Sequence, residues 1–341
     1  MAETKKKGLG LPQTKGAFQV RGKVTGTQKE KFYTEKTTKN GDPWRGINFG
    51  VEFAPGSTVF LNMTGMPKDE VFFSKRNEET KKVETERVKW SDRFTFNKEG
   101  YQLIGVNLGV NRIKDSKGND INEKKRMVEY DACKEISEHL KDNNTVFTKG
   151  TIEYSQYNGK HSTKFIPNQV SLGKDVDFEA EDFTPNAKFT QTIVFMSIAP
   201  NDDKSKYLVQ AKIVNYNTIE DAEFVIKDAS LANVFRKNLK PYTSINTWGS
   251  IEVEEDVTEV TETDCWGTSN AMDRVNNPTI RELVIEGADP STIDTTTYTE
   301  EEMDKAIESL KASKDAENDF GGTSSGWGSV KSVNDDDETG W

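Results

Sequence analysis

Residues 146–172 read VFTKGTIEYSQYNGKHSTKFIPNQVSL. Asn158-Gly159 stands between two runs that alternate apolar and polar side chains. Asn and Gly both accept the positive φ that a two-residue hairpin turn requires, so the segment predicts two antiparallel strands, Val146 to Tyr157 and Lys160 to Leu172. Just upstream, Val128, Ala132, Ile136 and Leu140 recur every four residues and form the apolar stripe of one helix. Before that the chain is strand-like. Phe18, Val20 and Val24 alternate with Gln19, Arg21 and Lys23, and Asn40-Gly41 marks a turn. Ile47, Phe49, Val51 and Phe53 alternate again, as do Val59, Leu61 and Met63. Residues 75–93 are charged and poor in apolar side chains, which predicts a long hairpin or a mobile insertion. Gln102–Val106 returns to strand.

The same order of elements recurs further on. Strands are predicted at Phe189–Ile198, Tyr207–Val214 and Ala222–Ile226. A helix follows at about Ser230–Leu239, with Leu231, Val234 and Phe235 on one face, and then strands at Ser244–Val253 and Thr279–Ile285. One helix between the third and fourth strands of a small barrel is the OB arrangement. The expected fold is mainly β, with two tandem OB-like β-barrels, each with one helix. A C-terminal helix and a disordered acidic tail complete it. The expected organisation is a flexible basic N-terminus over 1–15, a first barrel over 16–174 and an acidic linker over 175–186. A second barrel covers 187–297, and a helix covers 298–314, capped by Thr299 with Glu302 three residues on and striped by Met303, Ala306, Ile307 and Leu310. The disordered tail covers 315–341.

Charge divides the chain in the same way. Its 341 residues carry a formal net charge of −11, yet residues 1–174 hold 32 Lys and Arg against 22 Asp and Glu. A basic half followed by an acidic one reads as a polyanion-binding domain with an anionic competitor, or as two complementary halves. No apolar run approaches the roughly 18 residues of a membrane span, and the N-terminus has no apolar core of a secretory signal. Cys133 and Cys265 lie far apart outside any CxxC, which fits a reducing cytoplasm. His139 and His161 form no triad or metal site with them, and no phosphate-cradling loop is present. Asp175–Asp182 and Glu252–Asp256 could hold Mg²⁺, but a linker and strand-edge charges explain them more cheaply. An enzyme is therefore not expected, and neither a cofactor nor a metal is called for.

Binding a single strand without sequence preference needs cations along the phosphates and flat rings under the bases. With Phe18, Val20 and Val24 in the core, Arg21 and Lys23 turn outward. The following loop interleaves Lys29, Lys31, Phe32, Tyr33, Lys36 and Lys39, where one of the two aromatics can be buried. Trp44 is out of phase with Ile47, Phe49 and Val51 and faces outward, followed by Arg45; Phe60 is outward between Val59 and Leu61. The hairpin adds Lys149, Tyr154, Tyr157, Lys160 and Lys164.

The segment Val146–Leu172, the helix that precedes it, and the ending Asp335-Asp336-Asp337-Glu338-Thr339-Gly340-Trp341 together resemble the bacteriophage single-stranded DNA-binding proteins built on OB folds. The resemblance implies sequence-nonspecific coating of single-stranded DNA in replication, recombination and repair. It also implies that the acidic tip, Asp335, Asp336, Asp337, Glu338 and Trp341, recruits replication and recombination proteins and competes with DNA. The usual bacterial tip ends in Pro-Phe; this one ends in Gly-Trp. The competing expectation is a two-domain protein-interaction or virion-associated protein with no nucleic-acid role.

Overall fold

The computed structural model describes residues 8–157, 160–255 and 279–319. The first barrel is built from β1 (Gly16–Thr25), β3 (Pro43–Ala54), β4 (Ser57–Gly65), β12 (Thr145–Tyr157) and β13 (Lys160–Leu172). β1 pairs antiparallel with β3 and β12, β3 with β4, and β12 with β13. A parallel contact of Leu61 with Phe165 joins β4 to β13 and closes the ring. Helix α1 (Glu129–His139) lies in the chain between β4 and β12 and buries Ala132, Cys133 and Ile136. In strand order and helix placement this is the OB arrangement.

The second half repeats it. β14 (Asn186–Pro200), β15 (Tyr207–Val214), β16 (Ile219–Ile226), β18 (Thr279–Asp294) and β17 (Thr243–Glu255) pair in that order, and β17 returns to β14. The one parallel contact, Val225 with Val284, again joins the third and fifth strands. Helix α2 (Ala229–Asn238) sits between β16 and β17, with the Asp228 carboxylate accepting from the Ser230 N–H as its N-cap. Its buried residues are Ala232 and Phe235, while Val234 is exposed. The apolar face is thus rotated from the predicted Leu231–Val234–Phe235 toward Ala232, Phe235 and the partly buried Leu231, and Val234 turns to solvent.

The two barrels share a sheet and a core. β1 pairs antiparallel with β14 from Gly16 opposite Gln191 to Arg21 opposite Asn186, so their first strands meet at Phe18 and Phe189. Phe18 packs edge-on against Phe165 at 5.2 Å, and Phe224 contacts both Phe189 (6.1 Å) and Tyr154 (6.3 Å). One continuous hydrophobic cluster runs through these rings from barrel to barrel. Each fourth strand carries a bulge at an equivalent glycine, Gly150 opposite Phe18 and Gly249 opposite Phe189. A Cβ at either would fall within 2 Å of a fifth-strand carbonyl, Ile166 O or Val284 O. The repeat predicted from element order is thus present down to a single position.

Between β4 and α1 the first barrel carries an insertion. β5 (Glu70–Arg76) and β6 (Val83–Lys89) form the hairpin alternative predicted for residues 75–93, and β7 (Gln102–Leu103) pairs on β5. Val71, Phe73, Val88 and Leu103 give it a small core of its own, with Trp90, Phe96, Tyr101 and Tyr130 packed around it. β8 (Val106–Gly109) then runs parallel beside β13, β11 (Lys125–Met127) pairs on β8, and β9 (Arg112–Lys114) with β10 (Asp120–Asn122) forms a separate finger.

The expectation of a flexible N-terminus is overturned for residues 8–15. Leu9 is buried with Val194, Val214, Tyr298 and Met303 on the second barrel. Thr14 is buried, its N–H donating to Val214 O and its hydroxyl accepting from Val214 N–H at 2.8 Å. The Tyr298 hydroxyl donates to Pro12 O across this segment. Helix α3 (Glu300–Asp319) is longer than the predicted 298–314. The Thr299 hydroxyl accepts from the Glu302 N–H, and Met303 and Ala306 are buried. Residues 320–341, including the predicted acidic tail, lie outside the described residues. No helix among the described residues is long and apolar enough to cross a membrane.

Candidate nucleic-acid interface

Period-two alternation along β3 sends Ile47, Phe49 and Val51 into the barrel and Trp44, Gly46, Asn48 and Gly50 to its outer surface. β3 is prolonged beyond the barrel as an arm by pairing with β2 (Tyr33–Thr37), in the loop between the first two barrel strands. Cross-strand partners share a face, so the outer surface can be read in rows. Lys36 stands opposite Trp44, Gly46 lies between Thr34 and Thr64, Asn48 faces Asn62, and Gly50 lies between Thr25 and Phe60. None of these four rows contains a carboxylate; the next along β3 holds Glu52 between Lys23 and Thr58, and its carboxylate accepts from the Gly56 N–H.

Two rings lie on this surface. The Trp44 indole covers Gly46, where a Cβ would fall 2.3 Å from the ring, and the Lys36 ammonium sits 4.9 Å from the indole centroid. Phe60 is 48% exposed beside Gly50. Gly46 and Gly50 are four residues apart, so the rings are spaced by about 13 Å along the strand, with the Asn48 and Asn62 amides between them. An exposed ring at Phe60, a half-buried indole carrying a cation at Trp44 and two amides between them form a surface suited to unpaired bases on a phosphate backbone. Asn48 and Asn62 were missed in the sequence, although both stand at outward positions of strands whose inward residues had all been identified.

Arg45 is not on this face. The same alternation that turns Trp44 outward turns its neighbour to the other side, where its guanidinium donates to Glu35 at 2.9 and 3.0 Å and stacks 3.9 Å over the Tyr130 ring. Tyr33 faces this cluster and donates its hydroxyl to Glu35 at 2.8 Å. Burial, aided by that hydrogen bond, pushes the Tyr33 phenol up. Hydrogen bonds from Tyr33 and Arg45 hold the Glu35 carboxyl below its usual range. Arg45 and Tyr33 therefore brace the arm from behind. Phe32 is the buried one of the aromatic pair and belongs to the core.

The remaining predicted residues are divided among several places. Lys31, Lys149 and Lys164 are exposed. Arg21 and Lys23 turn outward from β1, but the segment after β13 crosses them: Arg21 donates to Lys174 O at 3.1 Å and the Lys23 ammonium lies 4.6 Å from the Phe178 ring. Tyr154 is buried, contrary to its reading as a base platform. It shares inward phase with Ile152, packs on Phe224 of the second barrel, and its hydroxyl has no partner. Burial pushes its phenol up. The side chains of Tyr157 and Lys160, and all of Asp335, Asp336, Asp337, Glu338 and Trp341, lie outside the described residues.

Other chemistry finds little support among the described residues. Cys133 is buried and its thiol is pushed up to about 12, the reverse of a reactive thiolate. Glu135, Glu138 and His139 come together on α1, but Glu135 is already bound to Lys125 at 2.7 Å. An open cleft of about 980 Å³ beside β9 and β10 is lined by three acidic and three basic residues, with no convergent set of perturbed groups.

Two barrels of this closure, joined edge to edge, place the molecule in the class of tandem OB-type barrel proteins. The chain belongs to the YorF family, whose model matches residues 75–322. Its fold is similar to the wild-type single-stranded DNA-binding protein from Thermus aquaticus, at 9% identity and a TM-score of 0.37, covering 82% of this chain and 93% of that one. A deletion mutant of the same Thermus protein is similar at 10% identity and a TM-score of 0.37, covering 81% and 94%. No curated relative matches the sequence.

Proposed function

We propose that this protein binds single-stranded DNA without sequence preference and has no enzymatic activity of its own, with the outer face of β2, β3 and β4 as its primary contact. The observation that carries the reading is a run of four outward rows without a carboxylate, in which the half-buried Trp44 and the exposed Phe60 stand with Asn48, Asn62 and Lys36. Lys31, Lys149 and Lys164 supply further cations to the backbone. Residues 16–174 are the DNA-binding unit in this reading, and 187–297 the second. Coated strands would be substrates for replication or recombination in a cytoplasm, that of a bacterial host if the chain is phage-encoded. Asp335–Glu338 and Trp341 would dock partner proteins through an aromatic anchor and an acidic strand.

Titration of fluorescein-labelled oligo-dT with the full chain at roughly 50 and 200 mM salt tests this. Tight binding should weaken steeply with salt as counterions are released. Absence of binding at both salts would leave the alternative, a protein-interaction or virion-associated protein whose basic face serves another anion.

A further inference from the structure

Pairing of β1 with β14 makes a continuous run of strands in the order β13, β12, β1, β14, β17, β18. Its outer face belongs to neither barrel alone. One row across it reads Lys149, Gln19, Lys188, Ser250, and the next reads Thr151, Ala17, Thr190, Trp248. Trp248 is 43% exposed and takes no part in the core that Ile245 and Ile251 of the same strand enter. Its indole lies on Gly287, the residue opposite on β18, where a Cβ would fall 2.7 Å from the ring. The ring rests on backbone at Gly287 and is otherwise substantially exposed, with Thr190 opposite it on β14. This is the construction of Trp44 on Gly46, made a second time in the other barrel.

The charge around it points to an anionic occupant. Lys15, at the start of this face, and Lys149 have no carboxylate partner among the described residues, while Lys188 is held by Glu286 at 3.0 Å. The Lys149 ammonium lies 5.3 Å from the Phe147 ring on the same face. A stacking surface with unpaired cations two and three strands away, about 10–14 Å, suits a base whose neighbouring phosphates reach them, although the exposed Glu153 shares this face.

We infer that this joined face is a second contact surface for single-stranded nucleic acid, with Trp248 stacking a base and Lys15 and Lys149 meeting phosphates. It rests on the reading above, because the strand it receives is the one leaving the β3–β4 face, and that strand must pass over the segment Lys174–Phe178, which crosses Arg21 and Lys23 on β1. From Thr25, in the row of Phe60, to Ala17, in the row of Trp248, β1 runs eight residues, about 26 Å. Only an oligonucleotide longer than a single fold covers can engage both surfaces.

The test uses the full chain with oligo-dT of about 8 and about 30 nucleotides, bracketing the roughly 4–16 that one OB fold covers. Trp248→Ala should weaken binding of the long oligonucleotide by about 5- to 150-fold, the range of one lost base stack, and leave the short one unchanged. Trp248→Phe should restore most of the loss, which a merely structural indole would not require. Trp44→Ala should weaken both lengths. If Trp248→Ala matches wild type at both lengths, or loses equally at both, while Trp44→Ala weakens binding, the second surface is excluded and the first stands. If wild type binds neither length, the single-strand reading falls and this inference falls with it.

Discussion

The outer faces of the second and third strands can be set side by side in the two barrels, because the closure is the same in both. In the first barrel that face is Trp44, Asn48, Asn62 and Phe60 with Lys36, and its one carboxylate, Glu52, stands at the far end of β3 in the row of Lys23. In the second, Lys212 is held by Asp221 at 2.8 Å and Gln210 donates to Glu223 at 2.6 Å. The cation there is already spent on an anion, and no ring stands open between the pairs. In the proposed reading, one architecture thus carries a face open to a polyanion and a face whose cation is already paired. Function here resides in which outward positions of a shared frame carry rings, amides or carboxylates.

The largest expected effect tests that difference directly. Trp44→Ala combined with Phe60→Ala should cost about 1–3 kcal/mol of binding per ring, measured by fluorescence titration with oligo-dT, whereas Gln210→Ala on the corresponding face should leave affinity unchanged. Equal losses from both would mean that the faces do not differ in function. Next comes Tyr154, whose place between the barrels makes it a packing residue. Tyr154→Ala should destabilise by about 3–5 kcal/mol as a large core truncation. Tyr154→Phe should be neutral or stabilising, since it removes a buried hydroxyl without a partner. Urea midpoints decide, and a loss of DNA affinity in a fully folded Tyr154→Phe protein would return the residue to the binding surface.

A smaller effect concerns charge. Lys36→Gln and Lys149→Gln should each lower the slope of log affinity against log salt by about 0.7, the single-strand value per phosphate contact, while Lys212→Gln should not change it. The smallest is the response to acid. Glu35 is held below its ordinary value in the folded arm by Tyr33 and Arg45. The stabilisation it provides is present above the unfolded carboxyl value of about 4.3 and fades as pH falls through the lower folded value. Glu35→Gln should flatten the fall of the urea midpoint below about pH 4, and an unchanged profile would show that the brace behind the interface contributes nothing.

Much of the frame could be read from the chain because local signals agreed with the final packing. Asn158-Gly159 announced the hairpin, the stripe from Val128 to Leu140 announced α1, and Phe18, Val20 and Val24 announced which side of β1 is inside. Phase also placed Trp44 and Phe60 outward. The errors came where nearness in sequence stood in for phase, or where a distant element intervened. Arg45 follows Trp44 and for that reason points the other way. Tyr154 belongs to the first barrel, yet a ring about 70 residues later covers it. Trp248 was passed over although Ile245 and Ile251 frame a strand in which it stands opposite in phase to its inward neighbours. Its setting depends on Gly287, which no local pattern links to it. The anchoring of residues 8–15 was equally hidden, since Leu9 and Thr14 find their partners on the second barrel and at the start of α3.

That anchoring has a consequence for how the protein comes off the ribosome. Thr14 closes its hydrogen bonds with Val214, 200 residues later, and the N-terminal half of β1 pairs with β14. At bacterial-to-eukaryotic elongation speeds of about 5–20 residues per second, this edge waits about 10–40 s for its partner. The first barrel can close β1 against β12 in the meantime, but its other edge stays open to any strand that passes. The nascent chain is thus exposed to mispairing at the seam that later unites the molecule, and faster translation would shorten that window.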